Sequence, residues 1–291
     1  MPELPEVESF RRLAERIAVT RTIAEVLGAD QLPLVHGDPI VLVDEAEDPG
    51  ALRRALIGRR VVSTHRRGKY AWLCLDDGAS LVLHFGMSGQ LRAPDQAPLV
   101  LSSSPRIPEN SFPPRFTKLL IEFSGGGALA FADGRRLGRV WLSTDPAKES
   151  PIGRLGFDAF LELPALDDFV HRLARRRGAL KGLLLDQSFA AGVGNWIADE
   201  VLYRARLDPR REAGSLSRVE ARALRRAIQE VLRIAVSVNA DSSRFPTTWL
   251  FHHRWGKGAD ATTSNGEKIE FIKVGGRTTA WVPSRQRPRS E

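Results

Sequence analysis

Apolar residues at the start of the chain fall on one stripe. Leu4, Val7, Phe10, Leu13, Ala14 and Ile17 recur at helical spacing, with Arg11, Arg12, Glu15 and Arg16 outside it. The spacing predicts an amphipathic helix over 4–17. From about 21 to 142 the period changes to two. Alternating runs at 70–75, 81–85, 118–123 and 128–131 are separated by the turns Asp76-Asp77-Gly78 and Gly125-Gly126-Gly127, which predicts antiparallel strands in a β-sandwich or barrel. Residues 94–114, with their Ser and Pro and little periodicity, predict an exposed loop. Helical period returns in 166–176, 197–206 and 217–238, the last opening on a capping box of Ser217 and Glu220. Two alternating runs, 268–274 and 277–282, are joined by Gly275-Gly276 and predict a β-hairpin. The predicted class is α+β, divided into an N-terminal helix plus β-sandwich over 1–145, a helical domain over 146–255, and the hairpin with its tail over 256–291.

Composition narrows the function classes. The 291 residues, 42% hydrophobic, suffice for two cores. No run of about 18 apolar residues occurs, and the first twenty residues mix Glu and Arg with apolar side chains, so neither a membrane span nor a signal peptide is predicted. The expected location is the nucleus in a eukaryote and otherwise the cytoplasm or nucleoid. Cys74 stands alone and cannot close an intramolecular disulfide, and the adjacent His252 and His253 have the wrong spacing for chelation. A formal net charge of +8 and a pI near 10.2 point to a polyanionic partner, with nucleic acid first.

The candidate chemistry begins at residue 2. A small second residue permits removal of the initiator methionine, which would expose the secondary amine of Pro2. An α-amine titrates near 7.7–8.0 against about 10.4 for lysine, so far more of it is free base near neutral pH. Such an amine can attack a sugar C1′ and form an iminium without losing a further proton. Glu3 and Glu6 flank it on the first helical turn, one to shuttle protons and the other to orient the amine. Taken alone, Pro and Glu at a helix start have an ordinary explanation in sterics and the helix dipole.

The string Met1-Pro2-Glu3-Leu4-Pro5-Glu6-Val7-Glu8 resembles the N-terminus of the Fpg/Nei family of base-excision repair glycosylases, and further segments match in the family's order over most of the chain. The resemblance implies a two-layered antiparallel β-sandwich in the first domain and several site residues. In Arg66-Arg67-Gly68-Lys69-Tyr70, Lys69 contacts the phosphates flanking the lesion and assists catalysis. In His84-Phe85-Gly86-Met87-Ser88-Gly89, Met87 is the wedge that fills the gap left by the everted nucleotide. In Asp133-Gly134-Arg135-Arg136-Leu137-Gly138, Arg135 faces the orphaned base, and Leu137 stands where the family has an intercalating aromatic. Ala191-Gly192-Val193-Gly194-Asn195-Trp196 resembles the helix-two-turn-helix signature, with Asn195 and the preceding Lys181 on backbone phosphates. In Gly275-Gly276-Arg277, Arg277 is the phosphate-gripping arginine of the finger tip.

Most family members staple that finger with four cysteines on zinc. This sequence has none there and resembles the zincless plant and fungal branch, so no metal and no cofactor are expected. The implied activity is a bifunctional glycosylase/AP lyase on double-stranded damaged DNA, acting as a monomer. Residues 239–246 look shorter than the loop that closes over everted 8-oxoguanine in the bacterial enzymes. Formamidopyrimidines and hydantoins are therefore the expected substrates, with 8-oxoguanine weak. Two alternatives stand beside this reading: a Nei-like preference for oxidised pyrimidines, and a non-catalytic DNA-binding protein that keeps the helix-two-turn-helix. Retention of Pro2, Glu3 and Lys69 together favours catalysis.

Overall fold

The computed structural model describes residues 1–28, 50–100, 111–256, 258 and 260–286, and divides into two compact units, Met1–Arg154 and Leu155–Glu291. In the first unit α1 (Leu4–Ala18) follows the predicted stripe, burying Leu4, Val7, Phe10, Ala14 and Ala18. Then come β1 (Ile23–Gly28), α2 (Ala51–Leu56), β2 (Val61–Arg67), β3 (Tyr70–Leu75), β4 (Ser80–His84), β5 (Gln90–Arg92), β6 (Thr117–Phe123), β7 (Ala128–Ala132) and β8 (Arg139–Ser143).

These strands form two four-stranded sheets, ordered β1-β6-β7-β5 and β2-β3-β4-β8, with every pairing antiparallel. Leu73, Leu81 and Leu83 of one sheet meet Leu119, Ile121 and Phe131 of the other in a single core. The two layers are thus a sandwich, one of the two architectures that the period-two runs allow. A void of about 10 Å³ between them, lined by aliphatic side chains and Phe131, has room for about one water and none for a nucleobase. Of the predicted loop, 101–110 lies outside the described residues.

In the second unit the order is β9 (Phe157–Asp158), α3 (Leu166–Ala174), α4 (Leu180–Leu185), β10 (Ala190–Ala191), α5 (Asn195–Ala205), α6 (Arg218–Ser237), β11 (Glu270–Val274) and β12 (Arg277–Trp281). The Ser217–Glu220 capping box starts α6 as predicted. Gly275 and Gly276, at φ 60° and 73°, make the two-residue turn of the hairpin. The sequence reading missed α4, whose six residues Leu-Lys-Gly-Leu-Leu-Leu are too few for a helical period. Among the described residues no helix is long and apolar enough to cross a membrane.

Candidate active site

Pro2, Glu3 and Glu6 sit together at the head of α1. Pro2 is buried, Glu3 is 2% exposed and Glu6 8%. Glu6 Oε2 accepts the Glu3 backbone N–H at 3.0 Å, and the Glu3 carboxylate accepts the N–H of Glu6, so each acid holds the other's backbone. Burial, helped by the neighbouring Glu3 charge, pushes the Glu6 carboxyl up to about 7. Burial lowers the Met1 terminal amine below its ordinary value, and the charges of Lys69 and Arg135 lower it further against the opposing pull of Glu3 and Glu6. The charged groups predicted for catalysis therefore converge electrostatically on the chain terminus.

Lys69 reaches this cluster through a tight turn. The register pairs Arg67 with Tyr70, leaving Gly68-Lys69 as the two-residue connection, and Gly68 takes φ 57°, which costs glycine nothing. A buried ion pair supports the turn from below. Arg66, its side chain 1% exposed, donates from Nε to Glu8 Oε2 at 3.1 Å and from Nη1 to the Gly68 carbonyl at 3.0 Å. His84, missed by the sequence reading, pairs with Tyr70 across β3 and β4. Burial and the charges of Lys69 and Arg139 push its imidazole down to about 4, so it is neutral at physiological pH and able to donate or accept a hydrogen bond.

Met87, Arg135 and Leu137 belong to two loops that touch. A Cβ on Gly86, which has φ 55°, would lie 2.3 Å from the Leu137 carbonyl carbon, so only glycine permits this approach. Asp133, 1% exposed, gathers both loops: Oδ1 accepts from Ser88 Oγ at 2.6 Å and from the Arg135 N–H at 3.1 Å. Its Oδ2 accepts the N–H groups of Leu137 and Gly138 at 2.8 and 2.7 Å. Arg135 is left exposed, Leu137 is 49% exposed and Met87 is half-buried. Asp133 was legible as a loop residue, but its organising role depends on the fold.

The second unit carries Lys181, Asn195 and Arg277. Arg277 is exposed just after the Gly275-Gly276 turn. That turn rests on α4, where a Cβ on Gly275 would come 2.9 Å from the Gly182 Cα. Asn195 opens α5 and donates from Nδ2 to the Thr278 carbonyl at 3.1 Å, holding the base of β12. Lys181 corrects the expectation of a phosphate contact. Its side chain is 0% exposed, and Nζ donates to Asp199 Oδ1 at 2.6 Å and Thr279 Oγ1 at 2.8 Å. Asp199 also holds Arg254 at 2.7 Å and the Ala280 N–H at 3.1 Å. A fully buried ammonium with these partners clamps the hairpin to α5 and leaves nothing for a ligand. Zinc does not fit the hairpin: residues 256–291 contain no Cys and no His.

Three family models match in order: the formamidopyrimidine-DNA glycosylase N-terminal domain over residues 1–140, the formamidopyrimidine-DNA glycosylase H2TH domain over 155–247, and the formamidopyrimidine-DNA glycosylase-like C-terminal domain over 249–283. The chain is 40% identical to the formamidopyrimidine-DNA glycosylase of Arabidopsis thaliana over 287 residues, 99% of this chain and 71% of the relative. It is 34% identical to that of Thermus thermophilus over 300 residues, 98% of each chain. Among solved structures, the MutM (Fpg) protein of Thermus thermophilus matches with a TM-score of 0.72 at 32% identity, covering 98% of both chains. The Lactococcus lactis Fpg in complex with abasic-site DNA matches with a TM-score of 0.76 at 27% identity, covering 98% of this chain and 100% of that one. With all three domain models and both relatives in agreement, this chain belongs to the formamidopyrimidine-DNA glycosylase family.

Proposed function

We propose that the chain is a bifunctional DNA glycosylase/AP lyase that removes oxidised bases from double-stranded DNA in base excision repair. The observation that carries the reading is the buried start of α1. There Pro2 adjoins the mutually hydrogen-bonded Glu3 and Glu6, and the charges of Lys69 and Arg135 bear on the Met1 amine. Once Met1 is removed, the same surroundings favour a free-base amine at Pro2. That amine attacks C1′ and displaces the damaged base. The resulting iminium acidifies C2′, and successive eliminations cleave the strand on its 3′ and 5′ sides. Glu3 shuttles protons, while Glu6, anchored to the backbone, orients the amine. Met87, Arg135 and Leu137 fill the gap left by the everted nucleotide, and Lys69 and Arg277 hold phosphates. Asn195 serves the phosphate surface from the head of α5.

The finger belongs in this reading to the zincless branch, held by the Lys181–Asp199–Arg254 network and by Ile269, Ala280 and Val282 in a small core with Tyr203 and Leu250. The protein acts as a monomer, located with the DNA in nucleus or nucleoid. Borohydride trapping on an abasic duplex tests the mechanism. Wild type should be trapped with Met1 absent from its intact mass, and Pro2→Gly should lose trapping. Undiminished trapping by Pro2→Gly overturns the assignment of the nucleophile.

A further inference from the structure

The chain's positive excess is concentrated in one unit. Residues 1–154 carry 20 Lys and Arg against 19 Asp and Glu, whereas residues 155–291 carry 23 against 16. Part of that excess lies on a helix face with no assigned role. α6 buries Leu224, Ile228, Val231 and Ala235 on one side. At about 100° per residue, Arg222, Arg226 and Arg233 share a sector of roughly 40° on the opposite side, and all three are exposed.

The carboxylates of the helix are engaged elsewhere. Glu220 is held by Arg211 and the Ser217 cap, and Glu230 by Arg204 at 2.6 Å. Among the described residues none of the three arginines makes an ion pair or a side-chain hydrogen bond. Exposed Arg175 and Arg177 extend the charge towards the start of α6, since the Arg176 carbonyl between them lies against Gly214.

We propose that this arginine stripe is a second DNA-binding surface, taking the backbone phosphates of a duplex segment other than the one held at the lesion. The chemistry favours phosphate: three guanidinium forks without internal partners, rising about 6 Å from Arg222 to Arg226 and about 16 Å from Arg222 to Arg233, track a polyanion of closely spaced charges. Within the second unit, geometry separates the stripe from Asn195 and from the hairpin that carries Arg277. Asn195 opens α5 and β12 lies against it, while α6 meets α5 through its apolar face, so the stripe looks away from them across a helix about 10 Å thick. A protein holding two segments can pass from one to another without full release.

The proposal rests on the DNA-repair reading above, and its test separates the two. Protein is trapped with borohydride on a short abasic duplex, which occupies the lesion surface, and a fluorescent undamaged duplex is then titrated by anisotropy at several salt concentrations. The trapped complex should bind it with a log–log salt slope of about −2.7 if three phosphates are neutralised. Arg222→Gln/Arg226→Gln/Arg233→Gln should weaken this binding at least about tenfold and remove most of the slope. The same variant should cleave the short lesion duplex in a single turnover at the wild-type rate. A trapped complex that binds no second duplex overturns the proposal and leaves the stripe to an acidic protein partner. Unchanged binding by the variant overturns it too, as does an equal loss of lesion cleavage, which would place the stripe in the lesion grip. Failure to trap sinks the lyase reading alone, because the same titration is then run on protein saturated with the short duplex.

Discussion

Arg66 lies beneath the turn that presents Lys69, joined to Glu8 of α1 at 3.1 Å and to the Gly68 carbonyl at 3.0 Å. One guanidinium thus fixes the turn of Lys69 to the helix that follows Pro2. Arg66→Lys keeps the charge but cannot fork to both acceptors. Its single-turnover rate on an abasic duplex should fall about tenfold with Kd within about threefold, since misplacement acts on the reacting geometry. A loss confined to Kd would assign Arg66 to DNA binding instead.

The Lys181–Asp199 pair at 2.6 Å, both side chains 0% exposed, predicts a stability effect in place of an electrostatic one on DNA. Lys181→Met should cost the second unit about 3–5 kcal/mol by leaving Asp199 short of a buried partner. The salt slope of DNA binding should stay at its wild-type value. A slope reduced by about 0.9 would show that Lys181 neutralises a phosphate after all.

Glu6 makes stability depend on pH. Its folded carboxyl, pushed to about 7 from an ordinary 4.5, keeps a proton that the unfolded chain has lost. The folded state therefore binds more protons between these values, and its stability declines as pH rises from about 4.5 to 7, then levels off. The loss is on the order of 3 kcal/mol. Glu6→Gln should flatten that window in chemical denaturation at stepped pH, and an unchanged slope would place the proton elsewhere.

Lesion choice is expected to follow from the connection after α6. Asn239 and Ala240 take φ 54° and 57°, Ala240 and Phe245 are each 3% exposed, and Ser242–Arg244 is a single 3-10 turn. Phe245 is inserted among Trp196, Trp249 and Phe251. A segment pinned in this way has little freedom to close over a flat base. Single-turnover rates should rank formamidopyrimidine and hydantoin lesions above 8-oxoguanine opposite cytosine, because non-planar bases leave the stack at lower cost. An 8-oxoguanine rate matching the hydantoin rate removes the argument while leaving the lyase chemistry standing.

Chelation provides a simple check on the finger. Strand cleavage should persist in EDTA, and Arg277→Ala should weaken DNA binding with a salt slope smaller by about 0.9. Loss of cleavage in EDTA that zinc restores would reveal a metal site.

By itself the sequence determined the elements whose signal is local. The stripe of Leu4 to Ile17 specified α1 because helical period needs only neighbours three and four residues away. Ser217 with Glu220 marked the start of α6, and Gly275-Gly276 marked the hairpin turn, because capping and positive φ are short-range chemistry. The order of motifs from Pro2 to Arg277 likewise placed the chain in its family. Tertiary structure alone decided what the charged residues do. Lys181 read as a phosphate ligand because its place before the helix-two-turn-helix segment matches the family's motif, and only the approach of Asp199 from 18 residues away made it a buried clamp. Glu8 with Arg66 and the loop-gathering Asp133 were invisible for the same reason: their partners are set by packing between distant segments, and sequence spacing carries no record of it.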